Sequence, residues 1–180
     1  MSPSLIHSFL RRRSIATLTI ALLIASATVG YRADDWSRFD HQPVRVVAAI
    51  TGDSLQIETA NGKTDTAKLL GAAGVEPGRR WLQANIVGKQ VTLLLQSPQT
   101  RDPAGRLRAF ALLDNQNLSV ELTKAGLAYA DRREKTEMDG VIDPAESDAR
   151  KKQRGIWATI KFEQMPAWRQ AWLKSLPPRR

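Results

Sequence analysis

The chain contains no cysteine and only two histidines, His7 and His41, both near its N-terminus. Without cysteine it can form no disulfide framework, zinc knuckle or thiol nucleophile. A catalytic site built on histidine is nearly excluded as well, because no histidine follows His41. A length of 180 residues suits one domain with tails and excludes a barrel of eight βα units. The hydrophobic content of 42% is sufficient for a core and argues against general disorder.

Little of the net charge lies in the central part of the chain. The formal net charge is +9, but residues 1–27 account for +3 and residues 158–180 for +4. Residues 28–43 carry −1, and residues 44–157 contain 17 basic and 14 acidic side chains. A strongly basic domain is one indication of nucleic-acid binding, but here the excess is concentrated in the tails.

The N-terminus has the features of an export segment. Three arginines, Arg11–Arg13, precede an apolar stretch over residues 14–30 that contains Ala25-Ser26-Ala27. This order of charged, apolar and small residues is typical of a secretory signal cleaved after Ala27. The alternatives are a retained single-pass anchor, for which this stretch is marginally long, and a buried helix. We expect the body to be exported, to the periplasm or the cell exterior, with or without an inner-membrane anchor.

Hydrophobic periodicity predicts a β-rich body after a linker over residues 28–43. Strands are predicted at 44–50, 55–59, 64–70, 89–96 and 106–113, and helices at 79–87, 118–125 and 145–154. Residues 71–78 are predicted to be a glycine-rich loop, and Pro144 marks the expected start of the third helix. The order of elements predicts a mainly β (α+β) fold, a five-stranded OB-type barrel with two to three appended helices.

Residues 158–180 form a basic, tryptophan-rich tail. A helix is predicted after Pro166, with Arg169 and Lys174 lying off its apolar stripe. The stripe consists of Met165, Trp168, Trp172, Leu173 and Leu176. Three roles remain open: packing of the tryptophan face on the barrel, a basic amphipathic helix on a membrane surface, and contact with nucleic acid.

Six segments between Val44 and Trp157 carry a resemblance to a known family. They are Ile50–Ser54, Ala67–Glu76, Gly88–Val91, Asp102–Arg106, Leu122–Ala128 and the helix from Glu146 to Trp157. In order and spacing they resemble the thermonuclease, or staphylococcal-nuclease-like, family. The resemblance implies an OB-type barrel over residues 44–157 that hydrolyses phosphodiester bonds of DNA or RNA with one calcium ion. A divalent ion in such a site offsets developing charge and orients an in-line attack.

The resemblance assigns a role to four residues. Asp53 stands at a metal-ligand position, and Glu76 at the position of the glutamate that acts on the attacking water. Arg106 and Lys68 stand at the positions of the two arginines that hold the phosphate. A guanidinium grips phosphate with two parallel hydrogen bonds, whereas the lysine ammonium contributes charge without that fork.

Several positions depart from the family pattern. Ala73 occupies the second carboxylate-ligand position and supplies no side-chain oxygen. Gly74 and Val75 replace the residues before Glu76, so we expect the loop that orients Glu76 to relax. Calcium takes six to eight oxygen ligands, and its affinity falls as charged ligands are lost. We therefore expect calcium-dependent nuclease activity to be severely reduced or absent; the cofactor is calcium if the protein is active and none otherwise.

Three functions remain open at this point. The chain is an exported nuclease, a nucleic-acid-binding module that has lost the chemistry, or an exported domain that contacts a protein or a membrane surface. Binders of single-stranded nucleic acid need aromatic side chains on which bases stack. The predicted strands contain one aromatic residue, Phe110. Nucleic-acid binding would therefore depend on phosphate contacts rather than on stacking.

Overall fold

The structure is a computed structural model and describes residues 34–96 and 99–176. Within these residues five strands close into a β-barrel. In chain order the elements are α1 (34–39), β1 (Pro43–Thr51), β2 (Ser54–Glu58), β3 (Thr64–Leu69), β4 (Ala72–Gly74), α2 (Glu76–Asn85), β5 (Gln90–Leu95), β6 (Leu107–Leu113), β7 (Gln116–Asn117), α3 (Leu118–Lys124), β8 (Ala128–Ala130), α4 (Asp139–Lys151), two 3-10 turns (Gly155–Ala158 and Phe162–Gln164) and α5 (Ala167–Ser175). The candidate export segment, residues 1–27, lies outside the described residues. Within them, no helix combines the length and the apolar character needed to cross a membrane.

The barrel strands lie in the order β3-β2-β1-β5-β6, and a parallel pairing of β3 with β6 closes the ring. The other pairings between barrel strands are antiparallel. Alternate residues of the strands point inward, as the period of two requires, and form the core. Its fully buried members include Val46, Leu55, Ile57, Leu69, Leu93 and Leu107. This architecture confirms the predicted OB-type barrel with appended helices.

The segment predicted to be a glycine-rich loop, residues 71–78, has regular structure. It contains β4, which pairs antiparallel with β8, and the first turn of α2. The helix begins at Glu76 rather than at Arg79, with Pro77 in its first turn, where a proline needs no hydrogen-bond partner. The prediction was wrong here because the partner strand of β4 lies much later in the chain and leaves no local signal.

The start predicted for α4 was also wrong, since the helix begins at Asp139 and contains Pro144 in its interior. The N-cap residue Met138 makes no side-chain capping bond, but the side chains of Thr136 and Asp139 interact around the true start. The hydroxyl of Thr136 donates to Asp139 Oδ1 at 2.6 Å, and the Thr136 amide donates to Asp139 Oδ2 at 3.1 Å. A threonine followed three residues later by an acidic residue resembles the capping box, so the sequence did contain this signal.

The structure replaces part of the expected linker by the helix α1, which packs on the barrel. Phe39 is fully buried in the main core, and Asp35 is also buried. The Asp35 carboxylate accepts hydrogen bonds from Arg101 Nε and Nη2 at 2.9 and 2.8 Å and from the Thr100 hydroxyl at 2.8 Å. Arg101 binds Asp65 of β3 as well. Ordered packing therefore begins at least by residue 34 and not near Val44.

The C-terminal helix α5 follows Pro166 as predicted and packs on the domain. Tyr129 of β8 makes edge-to-face contacts with Trp157 and Trp168, with ring centroids 5.4 and 6.2 Å apart. Arg132 lies over the Trp172 ring, with Cζ 4.2 Å from the centroid. Because the tryptophan face contacts the body, these contacts favour the packing role among the three that the sequence left open.

Arg169 is fully buried, although the sequence placed it off the packed stripe of α5, and that prediction was wrong. Its Nη2 donates to the carboxylate of Glu146 on α4, which is itself 1% exposed. Glu146 also accepts hydrogen bonds from Arg132 Nη1 and from the amide of Ala130, each at 2.9 Å. An arginine that lies off the apolar stripe of a helix is expected to be exposed to solvent. The burial of Arg169 is explained by its buried partner, the carboxylate of Glu146.

Candidate active site

Asp53 lies in the tight turn between β1 and β2 and is half-buried. Its Oδ1 accepts hydrogen bonds from the hydroxyls of Thr51 at 2.6 Å and Ser54 at 3.3 Å. Its backbone carbonyl accepts a hydrogen bond from the Leu69 amide at 2.7 Å. Both the side chain and the backbone of Asp53 are thereby fixed against the end of β3.

Two glycines allow the loop before Glu76 to pack directly on the Asp53 turn. A Cβ atom built on Gly74 would lie 1.9 Å from the carbonyl carbon of Gly52, and one built on Gly52 would lie 2.3 Å from the carbonyl oxygen of Val75. These separations are shorter than any ordinary contact, so the two backbones touch only because side chains are absent. The relaxation expected from Gly74 and Val75 is therefore not found; this loop is closely packed.

Glu76 is the first residue of α2, and its carboxylate is bound by a neighbour. Arg79 Nε and Nη2 donate to its two oxygens at 2.9 and 2.8 Å. The hydrogen bonds from Arg79 hold the pKa of Glu76 below its ordinary value of 4.5. A carboxylate with a lowered pKa is a poorer general base. Within the described residues no hydrogen bond joins Glu76 to Asp53, Lys68 or Arg106.

Arg106 is oriented by Asp102 and reaches towards the Asp53 turn. Its Nε donates to Asp102 Oδ2 at 2.7 Å, and its backbone amide donates to Asp102 Oδ1 at 3.0 Å. Its Nη1 lies 3.4 Å from the hydroxyl of Ser54, which in turn donates to Asp53. The structure thus brings Arg106 and Asp53 together through Ser54. The role of Asp102 was not predicted, although its position four residues before Arg106, in a turn, was a usable signal in the sequence.

Lys68 belongs to a basic row on the outer face of the barrel, which consists of Lys68, Arg106 and Arg108. In the strand register Lys68 is opposite Ser54 on β2 and opposite Arg108 on β6. Lys68 and Arg108 alternate with buried neighbours, so both face outward, and Arg106 precedes Arg108 by two residues on the same face. Arg108 was missed from the sequence, although the strand period after Arg106 points to it. Its side chain also binds Glu134.

Ala73 lies in β4 opposite Tyr129 of β8 and supplies no ligand oxygen. Asp131 follows β8 two residues after Tyr129, and its amide donates to the carbonyl of Gly71 at 2.9 Å. The strand period puts Asp131 on the same face as Ala73, diagonally across the two strands. Asp131 thus places a carboxylate next to Ala73, the position at which the family has its second acidic ligand.

The donor set of this site does not fit calcium. Over residues 34–96 and 99–176, no three His, Cys, Asp or Glu side chains are grouped so that they could hold a metal ion. Asp53 Oδ1 already accepts two hydrogen bonds, the carboxylate of Glu76 is bound by Arg79, and Ala73 adds nothing. Calcium would need six to eight oxygens, mostly anionic for tight binding.

A comparison with protein-family models agrees with the barrel fold. Residues 74–159 match the family model of the staphylococcal nuclease homologues. The chain contains a thermonuclease-like domain. The match includes Glu76 and Arg106, whereas Asp53 and Lys68 precede it and come from the strands that complete the barrel. No curated protein matches the chain at a significant level.

The staphylococcal nuclease homologues depend on calcium in general, whereas the donor set described above does not fit that ion. The helix α5 lies beyond the matched region, which ends at residue 159. Its contacts with Tyr129 and Glu146 nevertheless make it an integral part of the domain.

The ion pair of Asp102 with Arg106 predicts a pH-dependent stability. Burial raises the pKa of Asp102, but hydrogen bonds from the side chain and amide of Arg106 outweigh it and lower the pKa below 3.8. The contribution to the free energy of unfolding is therefore complete above about pH 5 and lost as the pH falls through the lowered pKa. Urea unfolding of wild type and Asp102→Asn should give a constant difference from about pH 5 to 7 that shrinks below about pH 4. A difference that persists unchanged at about pH 3 would contradict this origin.

Proposed function

We propose that this thermonuclease-like domain binds the phosphodiester backbone of nucleic acid and has lost most or all calcium-dependent hydrolysis. One observation carries the proposal: Arg106, oriented by Asp102, stands beside Ser54 and Asp53, while Ala73 replaces the second acidic ligand. A guanidinium has five N–H donors, so Arg106 retains donors for a phosphate after binding Asp102. Lys68 and Arg108 extend the positive charge along the barrel face.

The contacts of Glu76 support the loss of hydrolysis independently of the metal. Its carboxylate is held by Arg79 through two hydrogen bonds, and its lowered pKa weakens it as a base. Activation of a water at the phosphate would require Glu76 to leave this ion pair. The domain therefore retains groups that bind a phosphate, and its base is available only in the molecules in which the exposed pair of Glu76 with Arg79 has opened.

Export is part of the proposal and is supported by the arginines and apolar stretch of residues 1–30. We propose a periplasmic or extracellular domain, with or without an anchor in the inner membrane. The alternative function is a non-catalytic exported module for a protein partner or a membrane surface. The packing of the α5 tryptophans on Tyr129 and Arg132 argues against a membrane contact of that helix.

A calcium titration followed by a nuclease assay tests the proposal. Wild type should cleave DNA and RNA at a low rate that calcium does not raise. It should nevertheless bind a labelled oligonucleotide, as measured by fluorescence anisotropy. The double variant Ala73→Asp/Lys68→Arg restores the missing carboxylate and fork, and we expect it to gain at least about tenfold in calcium-dependent cleavage. Lys68→Arg alone is the matched control and should remain inactive, since it supplies no oxygen ligand.

Two outcomes would reject the proposal. Rapid cleavage by wild type in millimolar calcium that stops with chelator would show that the site is active, and Asp53→Ala should then abolish it. Absence of oligonucleotide binding by wild type, or binding that Arg106→Gln leaves unchanged, would instead favour the protein-contact alternative. A chelator-sensitive rate untouched by Asp53→Ala would place the chemistry elsewhere in the chain.

A further inference from the structure

We propose that Arg133 is the built-in cation of this site, where its guanidinium balances the charges of Asp53 and Asp131 in place of a divalent metal. This proposal rests on the proposed function in one respect only, which is that the ligand bound next to Arg133 would be a phosphodiester. It follows from the misfit between the acidic groups and calcium, together with the position of a guanidinium among those groups.

Arg133 binds Asp131 in a bidentate ion pair. Its Nε donates to Oδ1 at 2.8 Å and its Nη2 to Oδ2 at 2.6 Å, while its backbone amide donates to Oδ1 at 3.2 Å. Asp131 is in turn fixed to Gly71 through its amide, on the face of the β4–β8 pair that carries Ala73. Both oxygens of this carboxylate are therefore engaged by an arginine and not directed to a metal.

Asp53 contributes to the negative charge around this guanidinium: its turn packs on Gly74 of β4, the strand that begins directly after Gly71, to which Asp131 is bonded. The hydrogen bond to the Asp131 carboxylate raises the pKa of Arg133; burial opposes this, and the negative charges of Asp131, Asp53 and Glu134 add to it. Burial raises the pKa of Asp131, but the bonds from Arg133 and the nearby charge of Lys68 lower it overall. The carboxylate at Asp131 thus remains ionised beside a cation that belongs to the chain.

The helix α5 holds this cation in place from outside the family match. Arg133 Cζ lies 4.8 Å from the centroid of the Trp168 ring, a distance at which a cation is attracted to the aromatic face. Trp168 is positioned by the ion pair of Arg169 with Glu146 one residue later on the helix. A side chain that is almost half exposed, at 48%, is thereby restrained on two sides.

A prediction about calcium follows from this arrangement. In wild type the acidic charges are already balanced, so calcium gains nothing by binding. Removing the guanidinium frees both side-chain oxygens of Asp131 and leaves the negative charge around Asp131 and Asp53 less fully balanced, which are conditions that raise calcium affinity. Calcium affinity should therefore appear on loss of Arg133, whereas loss of a surface cation far from the site should leave it unchanged.

The test is thermal unfolding of the full chain with and without calcium chloride. For Arg133→Gln we expect the Tm to rise by about 3 °C in about 10 mM calcium. Wild type and the double variant Arg133→Gln/Asp131→Asn should show no rise. Arg38→Gln is the matched control, because it breaks an exposed ion pair with Asp34 away from the site and should also show none.

The proposal is overturned if Arg133→Gln shows no calcium response, or if wild type responds as strongly as the variant. Should Arg133→Gln fail to fold, isothermal titration of calcium into wild type decides: absence of binding supports the built-in cation and saturable binding overturns it. Oligonucleotide binding is measured separately. If no oligonucleotide binds but calcium raises the Tm of Arg133→Gln alone, the proposed function is rejected and the assignment of Arg133 stands.

Discussion

Replacing Arg169 by leucine is expected to reduce the free energy of unfolding by about 3 kcal/mol. The reason is the carboxylate of Glu146, which is 1% exposed and would lose one of its two guanidinium partners. Burial of the positive charge lowers the pKa of Arg169, and the charge of Glu146 opposes that effect. The pair therefore depends on each partner to offset the desolvation of the other.

A double variant separates the ion pair from simple packing. Arg169→Leu/Glu146→Leu removes both charges, and replacing a buried pair by apolar side chains is often neutral. We expect it to recover most of the loss, and urea unfolding at about pH 7 with near-ultraviolet circular dichroism would measure stability and tryptophan packing. If Arg169→Leu alone stays within about 0.5 kcal/mol of wild type, Arg132 is sufficient for Glu146 and the argument fails.

Gly74→Ala is the second substitution for which we expect a large loss, again about 3 kcal/mol. The new methyl group would lie 1.9 and 2.0 Å from the carbonyl carbon and oxygen of Gly52 and 2.5 Å from the amide nitrogen of Asp53. All three atoms belong to the backbone, so no side chain can rotate away. The turn that carries Asp53 must move, and oligonucleotide binding should weaken with stability.

Gly140→Ala is the matched control for this prediction. Gly140 lies in the first turn of α4, and a Cβ atom there would meet nothing within 4 Å. Alanine in a helix is more stable than glycine by about 0.5–1 kcal/mol, so this variant should unfold at higher urea concentration than wild type. A Gly74→Ala protein as stable as wild type would show that the Gly52 and Gly74 backbones can separate without loss.

The barrel could be predicted because its strands have local signals. The alternation around Leu55 and Ile57, the Asn61-Gly62 turn and the β-branched run of β1 each identify a strand without knowledge of its partner. β4 has no such signal; its three residues are a strand only because β8 pairs with them. The predicted start of α4 was wrong because Pro144, which favours a helix start, lies inside this helix, and the signal of Thr136 and Asp139 comes earlier in the chain.

The candidate site could be predicted only in part, for the same reason. Asp53, Lys68 and Arg106 were named from the family pattern, and adjacent strands bring them together. Glu76 was named too, but a neighbour on its own helix binds it. Asp131 and Arg133 come from a segment after β8 that has no motif, and their relation to Asp53 exists only once the barrel has formed.

The ion pair between α1 and the barrel has a consequence for the lifetime of the folded state. Asp35 and Arg101 are 66 positions apart in the chain, and Arg101 reaches Asp65 from the far side of the parallel β3–β6 closure. Because contacts of such long range close large loops, we expect this ion pair to form late in folding, after the transition state. Interactions absent from the transition state slow unfolding without hastening folding. We therefore expect the contacts of α1 to lower the rate at which the closed barrel unfolds.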